Sequence, residues 1–351
     1  MREVAIVSVA MRQEPALTDT KEVELMAPLI SAARDQVGLT QADIGFTCSG
    51  SSDFLAGQAF SFVHTLDAVG AFPPISESHV EMDGAWALYE SWVKLQMGEI
   101  DTALVYSYGK SSPGNLRDVL STQLDPYYLA PLWPDAFSLG ALQARMMLDA
   151  GVVTEERLAE IAVRSAHNAV GNPLAIRSSD SMTVEDVLAQ TPNVDPLRPS
   201  DFAARADGGI AVMLAAGDRA KELTERPAWI RGIDHRIDPH QPGVRDLTRA
   251  PSAGLAAAKA GVANDKIDVA ELAASFTTHE HILETELGLD GDVVVNPSGG
   301  TLAGQTMMAA GLMRFGEVAN RIAAGEVDRG VAHATAGLYL QQNMVAVLEG
   351  E

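Results

Sequence analysis

Two stretches far apart in the chain carry the same punctuation, and that repeat limits the fold more than any other feature. Gly84 stands fourteen positions before the tetrad Gly98, Glu99, Ile100 and Asp101, and the run ALVYSYG follows. Gly311 stands the same fourteen positions before Gly325, Glu326, Val327 and Asp328, and GVAHATAG follows. A glycine-opened helix, a matching helix end and a strand therefore occur twice. The spacing predicts two similar α/β halves, each a sheet with helices, packed about a shared layer.

The second copy is introduced by residues 293–311, VVVNPSGGTLAGQTMMAAG. Three β-branched residues run into Asn-Pro-Ser-Gly-Gly, so a buried strand should deliver the backbone to a tight turn. The small residues from Thr301 to Gly311 predict a helix with free N–H groups at its start, suited to an acyl oxygen or an anion. A plain glycine-rich turn would read the same way. Elsewhere the pattern predicts strands over 2–10, 44–48, 101–107, 208–215 and 228–233, and helices over 21–37, 54–66 and 84–97. Between 110 and 197 proline, tyrosine and tryptophan punctuate helical runs, which reads as an excursion from the sheet.

Charge and cysteine content exclude several classes. The net charge of −22 argues against nucleic acid and against an anionic membrane surface. No apolar run approaches the roughly 20 residues that span a bilayer, and the N-terminal MREVAIVSVAM reads as a first strand, so a cytoplasmic protein is expected. The single cysteine, Cys48, leaves no disulfide framework and no cysteine-held zinc; no metal is expected. An anionic ligand would need a local cationic patch, for which Arg164, Arg177, Arg236, Arg245 and Arg249 are candidates.

Four ordered stretches carry a family resemblance. DVAELAASFTTHEHILETELGL resembles the DVxELHDCFSxNELLxxExLGL segment of sterol-carrier-type thiolases, and VNPSGG resembles their VNPSGG loop. AEIAVRSAHNAVGNPLA and ARADGGIAVMLAA resemble their helical excursion and their SDGAAA strand. The resemblance implies the thiolase fold: two duplicated βαβαβαββ halves in a five-layered αβαβα arrangement with a loop and helical excursion. The halves are expected at 1–240 and 241–351. It further implies coenzyme A thioesters as ligands, no separate cofactor, and usually a dimer.

The departures from that pattern decide the chemistry. A thiolase takes up its acyl group on a cysteine thiolate. Setting VEMDGAWAL against the family's NCATGSTAL puts Glu81 at that position. The family's HDCF histidine and its neighbouring acid become Ala273 and Ala274, and the histidine of its GHP motif becomes Gln305. In the last loop, HATAGLYLQQN, Tyr339 lies near the place of the second catalytic cysteine.

This set resembles the actinobacterial lipid-transfer-protein branch, which includes retro-aldolases of sterol side-chain breakdown that bind a small zinc-ribbon/OB-fold partner. The resemblance gives Tyr339 the proton-transfer role, assisted by His279 or His333; His79 is a further candidate. Gln305, with Gly304, Ser298 and Gly300 of the same loop, is the expected donor set for the thioester oxygen. Arg177, Arg236 and Arg249 are the expected coenzyme A contacts. Three readings stay open, in this order: an aldolase acting on a β-hydroxyacyl-CoA; a degraded thiolase-like subunit that binds acyl-CoA or supports an active partner in a homo- or heterodimer; and, last, a 3-ketoacyl-CoA thiolase, an acyltransferase.

Overall fold

The computed structural model describes residues 2–350. The chain runs β1 (Val4–Glu14), α1 (Glu22–Asp35), β2 (Phe46–Gly50), α2 (Asp53–Ala56), α3 (Val63–Val69), β3 (Glu77–Val80), α4 (Gly84–Met97) and β4 (Thr102–Gly109). An excursion follows, with α5 (Leu116–Thr122), α6 (Ala136–Asp149), α7 (Glu155–Asn168) and α8 (Val184–Leu188). The chain then returns through β5 (Asp207–Ala216), α9 (Asp218–Leu223), β6 (Ala228–Ile237) and α10 (Pro251–Ala260). It closes with β7 (Val269–Glu271), α11 (Thr277–Leu287), β8 (Val294–Val295), α12 (Gly300–Ala303), α13 (Ala310–Ala323), β9 (Arg329–Ala336) and β10 (Gln342–Glu349).

The strands lie in the order β3-β2-β4-β5-β1-β6-β10-β9-β7-β8. Read inward from either end, the third strand of a set of five comes first, then the second, fourth, fifth and first. In each set the outer strands pair in parallel and the inner ones antiparallel. Only Ala5↔Trp229 and Ile6↔Ala228 join β1 to β6. The duplicated order is what the glycine-tetrad repeat implied.

Side-chain alternation builds the layers. Val4, Ile6 and Val9 of β1 face a core shared with Leu88 and Leu95 of α4, Leu312 and Phe315 of α13, and Ala346 and Leu348 of β10. Ala5, Val7 and Ala10 face α1 through Leu25, Met26 and Ile30. Ile6 and Val9 share a face despite their odd spacing because the register shifts between Ile6 and Ser8. On the far side, Val345 and Val347 of β10 pack against Ala253, Ala256 and Ala257 of α10 and Ile282 and Leu283 of α11. Helices, sheet, the α4–α13 pair, sheet and helices make the five layers.

Three sequence-based elements differ. The helix expected over 54–66 is two short pieces, interrupted by Gly57 at φ +73° and Phe60 at φ +62°. The helix expected from Thr301 to Gly311 is α12, a break, and then α13. Gly304 is extended there, the Gln305 N–H donates to the Ala204 carbonyl, and the Gln305 carbonyl accepts from the Ala206 N–H. Backbone pairing with the segment before β5 therefore outweighs local helix preference. Strand β3, four half-buried residues at the sheet edge, has too little alternation to be read from sequence. No helix among the described residues is long and apolar enough to cross a membrane.

Candidate active site

The two repeated helix starts meet over one carboxylate. Asp83 caps α4, its Oδ1 accepting from the Ala85 N–H at 2.9 Å. The same side chain accepts from Gly311 N–H at 2.7 Å and Leu312 N–H at 2.9 Å. Helix α13 follows Ala309, which offers no capping side chain, so Asp83 caps both helices. A Cβ at Gly84 would lie 2.5 Å from Ser107 Cβ, and one at Gly311 would lie 2.5 Å from Ala334 Cβ. The paired glycines permit this approach. Burial pushes the Asp83 carboxyl up to about 7, against the three N–H groups that favour its charge. The N–H groups of Gly311 and Leu312 at the α13 start are thus taken up by Asp83.

The Asn-Pro-Ser-Gly-Gly loop is held just as completely. Ser298 Oγ donates to Glu271 Oε2 at 2.7 Å and accepts from Arg314 Nη1 at 2.6 Å, inside the buried Arg314–Glu271 pair. Asn296, at φ +50°, accepts from Leu272 N–H and donates to Glu280, which pairs with Arg164. Burial pushes Glu280 up to about 7. The excursion reaches back to the same loop: Asn168 donates to the Val295 and Asn296 carbonyls, and Asn172 to that of Ser298. Gly300 sits at φ +63° against Asn296, and a Cβ at Gly304 would strike Gln13. The Gln305 amide donates to Ser275 Oγ at 2.8 Å, leaving its second N–H.

Glu81, set by the sequence resemblance at the nucleophile position, is exposed. Its Oε1 accepts from the Asp53 N–H at 2.6 Å, and its Oε2 lies 3.6 Å from His79 Nε2. His79 Nδ1 bonds Ser49 Oγ at 3.1 Å while its ring stacks on Phe62. Cys48 is fully buried within β2, and burial pushes its thiol up to about 12.

Behind the β9–β10 loop, the structure brings His279, His333 and Tyr339 into one neighbourhood. Arg245 holds the loop, donating to the Tyr339 carbonyl at 3.2 Å and the Leu338 carbonyl at 3.0 Å. Tyr339 and Leu340 both have positive φ, +56° and +54°. Such conformations are costly for residues with side chains and concentrate at functional loops. The Tyr339 ring packs with Leu124, Leu139 and Leu247. Burial pushes its phenol up to about 12, with Arg245 acting in the opposite direction.

His333 of β9 accepts from the Ala273 N–H at Nδ1 (3.3 Å), and its Nε2 meets Asn343 Oδ1 at 3.0 Å. His279 of α11 meets Gln143 Oε1 at 3.0 Å through Nε2. Burial lowers His279 to about 3, aided by the repulsion that two charged imidazoles would feel and by the positive field of Arg245. His333 is lowered to about 4 by burial. Both rings are neutral at physiological pH.

Each of the expected coenzyme A arginines has a partner within the chain. Arg177 donates to the Phe202 carbonyl at 2.8 Å, Arg236 pairs with Asp234, and Arg249 pairs with Glu286. Tyr127, Tyr128 and Trp133 of the excursion are exposed; Trp133 lines a cleft of about 310 Å³ with Arg117 and Asp135. Gln143 and Asn343 were not singled out from sequence. The signal for Gln143 was a polar residue on the helical stripe Leu139, Gln143, Met147. Among the described residues, no group of three or more His, Cys, Asp or Glu could hold a metal ion.

The mirrored strand order, five layers and shared helix starts define a thiolase-fold protein. No family model matches the sequence. The acetyl-CoA acetyltransferase of Methanothermobacter thermautotrophicus is 27% identical, over 96% of this chain and 95% of the relative. The 17-hydroxy-3-oxo-4-pregnene-20-carboxyl-CoA lyase of Mycobacterium tuberculosis is 22% identical, over 82% of this chain and 79% of the relative. Among solved structures, the Ltp2-ChsH2(DUF35) aldolase superposes with a TM-score of 0.79 at 20% identity, covering 99% of this chain and 97% of that one. The chain is thus similar to relatives named both as an acyltransferase and as a lyase.

Proposed function

We propose that this protein cleaves a carbon–carbon bond of a β-hydroxyacyl-CoA by a retro-aldol route, in steroid or sterol side-chain degradation, without forming an acyl-enzyme. A base takes the β-hydroxyl proton, and the hydroxyl oxygen becomes the ketone oxygen. The electron pair of the breaking bond moves to the α-carbon, giving a thioester enolate that is then protonated to the shorter acyl-CoA. Tyr339 serves proton transfer with histidine assistance, and the remaining Gln305 N–H serves the enolate oxygen. The observation that carries this reading is the position of sulfur: the only cysteine is buried in β2 with its thiol pushed up to about 12. Glu81 meanwhile caps a neighbouring turn. The named activities of the lyase relative and the aldolase neighbour support the same chemistry.

The reaction is proposed to run in the cytoplasm, in a dimer or heterodimer with another thiolase-like chain and with a small zinc-ribbon/OB-fold protein. Leu124, Leu129 and Ala130 pack with Tyr339, so substrate entry requires their displacement. A second reading, a non-catalytic acyl-CoA-binding subunit, is favoured by the internal partners of Gly311, Leu312 and Ser298. The test offers a β-hydroxyacyl-CoA bearing a tertiary alcohol to the protein with and without its partner. Ketone release that disappears in Tyr339→Phe supports cleavage. No release in any pairing, with tight association to a thiolase-like chain, supports the subunit reading.

A further inference from the structure

The two buried histidines differ in one lone pair, and their amide neighbours fix which. Asn343 Nδ2 donates to the Leu340 carbonyl at 2.8 Å and to Ser252 Oγ at 2.7 Å. A carbonyl can only accept, so this end of the amide is the NH₂ and Oδ1 faces His333. His333 Nε2 therefore carries the proton, and its Nδ1 lone pair is spent on the Ala273 N–H at 3.3 Å. His333 has nothing left with which to accept a substrate proton.

The same logic applied to His279 ends differently. Gln143 is fully buried on α6, and its Nε2 donates to the Leu247 carbonyl at 2.7 Å. Its Oε1 must then face His279 Nε2, which has to be the N–H donor across their 3.0 Å contact. The Nδ1 lone pair is left over, and that atom is buried without a hydrogen-bond partner among the described residues. Phe276 meets the imidazole edge to face at 4.9 Å, restricting its rotation. A buried polar atom with no partner is uncommon in a settled fold and marks a place where a partner arrives.

We propose that Gln143 is a positioning residue that locks His279 as the Nε2–H tautomer, making Nδ1 the atom that accepts the β-hydroxyl proton. The proposal rests on the cleavage reading above and assigns its base, leaving the protonated Tyr339 phenol to donate the proton that the enolate carbon takes up. In the step, the substrate O–H bond breaks and an N–H bond forms at Nδ1 as the carbon–carbon pair passes to the enolate. Burial and the positive field of Arg245 keep the ring unprotonated while the site is empty. The negative charge of the forming enolate offsets that field, so the imidazolium arises together with its counter-charge.

The test joins a tautomer readout to kinetics. In ¹⁵N-imidazole NMR of the full chain, His279 should show a protonated Nε2 and a bare Nδ1. Gln143→Met should release that preference and lower kcat roughly a hundredfold with little change in KM. His333→Gln should leave the His279 tautomer unchanged. A protonated Nδ1 in the wild-type protein would overturn the lock without reference to any substrate. An unaltered tautomer or kcat in Gln143→Met would overturn Gln143's role. If the wild-type protein shows the expected tautomer but releases no ketone, the cleavage reading and the assigned base fail together while the lock stands.

Discussion

Two buried polar clusters use the same kinds of groups and end in different states. At the meeting of α4 and α13, each oxygen of Asp83 is bonded, to Ala85 N–H, Gly311 N–H and Leu312 N–H. Behind the β9–β10 loop, His279, His333, Gln143 and Asn343 are bonded in the same careful way, yet His279 Nδ1 has no partner. The first cluster is closed and acts as a clasp between the repeated helices. The second is open by one acceptor. The helix starts have no donor left at Gly311 and Leu312 for a ligand, whereas the histidine cluster keeps one free acceptor.

Removing the clasp should have the largest effect. Asp83→Ala leaves three buried N–H groups without an acceptor, and a loss of about 3–5 kcal/mol in denaturant unfolding is expected. Asp83→Asn keeps an acceptor oxygen and should lose less. If Asp83→Ala unfolds at the wild-type denaturant concentration, the clasp is not structural and the contrast fails.

His279→Asn should do the reverse. Ketone release is expected to fall by roughly a hundredfold or more, while the unfolding midpoint shifts less than in Asp83→Ala. Equal activity in wild type and variant would remove His279 from the chemistry.

The clusters also predict opposite pH slopes. Asp83 is raised to about 7, so the fold binds its proton more tightly than the unfolded chain does. That stability is complete below the ordinary aspartate value of 3.8 and is lost as pH rises toward 7. His333 is lowered from 6.5 to about 4, so its contribution is complete above 6.5 and is lost as pH falls toward 4. Unfolding midpoints between pH 4 and 8 should lose part of the alkaline-side decline in Asp83→Asn, Glu280 supplying another part, and part of the acid-side decline in His333→Gln, each with slopes up to about 1.4 kcal/mol per pH unit. Unchanged slopes would mean these groups titrate alike in both states.

The smallest effect is expected at Glu81. Its carboxylate is half-exposed and caps a turn, so Glu81→Ala should change stability by less than about 1 kcal/mol. Ketone release should be unaffected; a large loss would return Glu81 to the site.

The repeat that identified the halves was legible because it is a matter of spacing: Gly84 and Gly311 are fixed by close helix approach, which no larger residue permits. The break at Gly304 was not legible, since it depends on Gln305 pairing with Ala204 and Ala206, a hundred residues upstream. Tyr339, His279 and His333 were visible as residue types on expected loops and elements. What holds them was hidden: Arg245 acts on the backbone carbonyls of Leu338 and Tyr339, and Gln143 acts from the excursion. Contacts between distant segments leave no periodic trace in a single sequence.

In the proposed reaction the acyl chain is never carried on the protein. Product and intact protein mass, followed together during turnover of a tertiary β-hydroxyacyl-CoA, test this. Equal amounts of ketone and shortened acyl-CoA are expected, with the polypeptide mass unchanged throughout. A protein population heavier by one acyl group, formed and consumed at the rate of turnover, would contradict it.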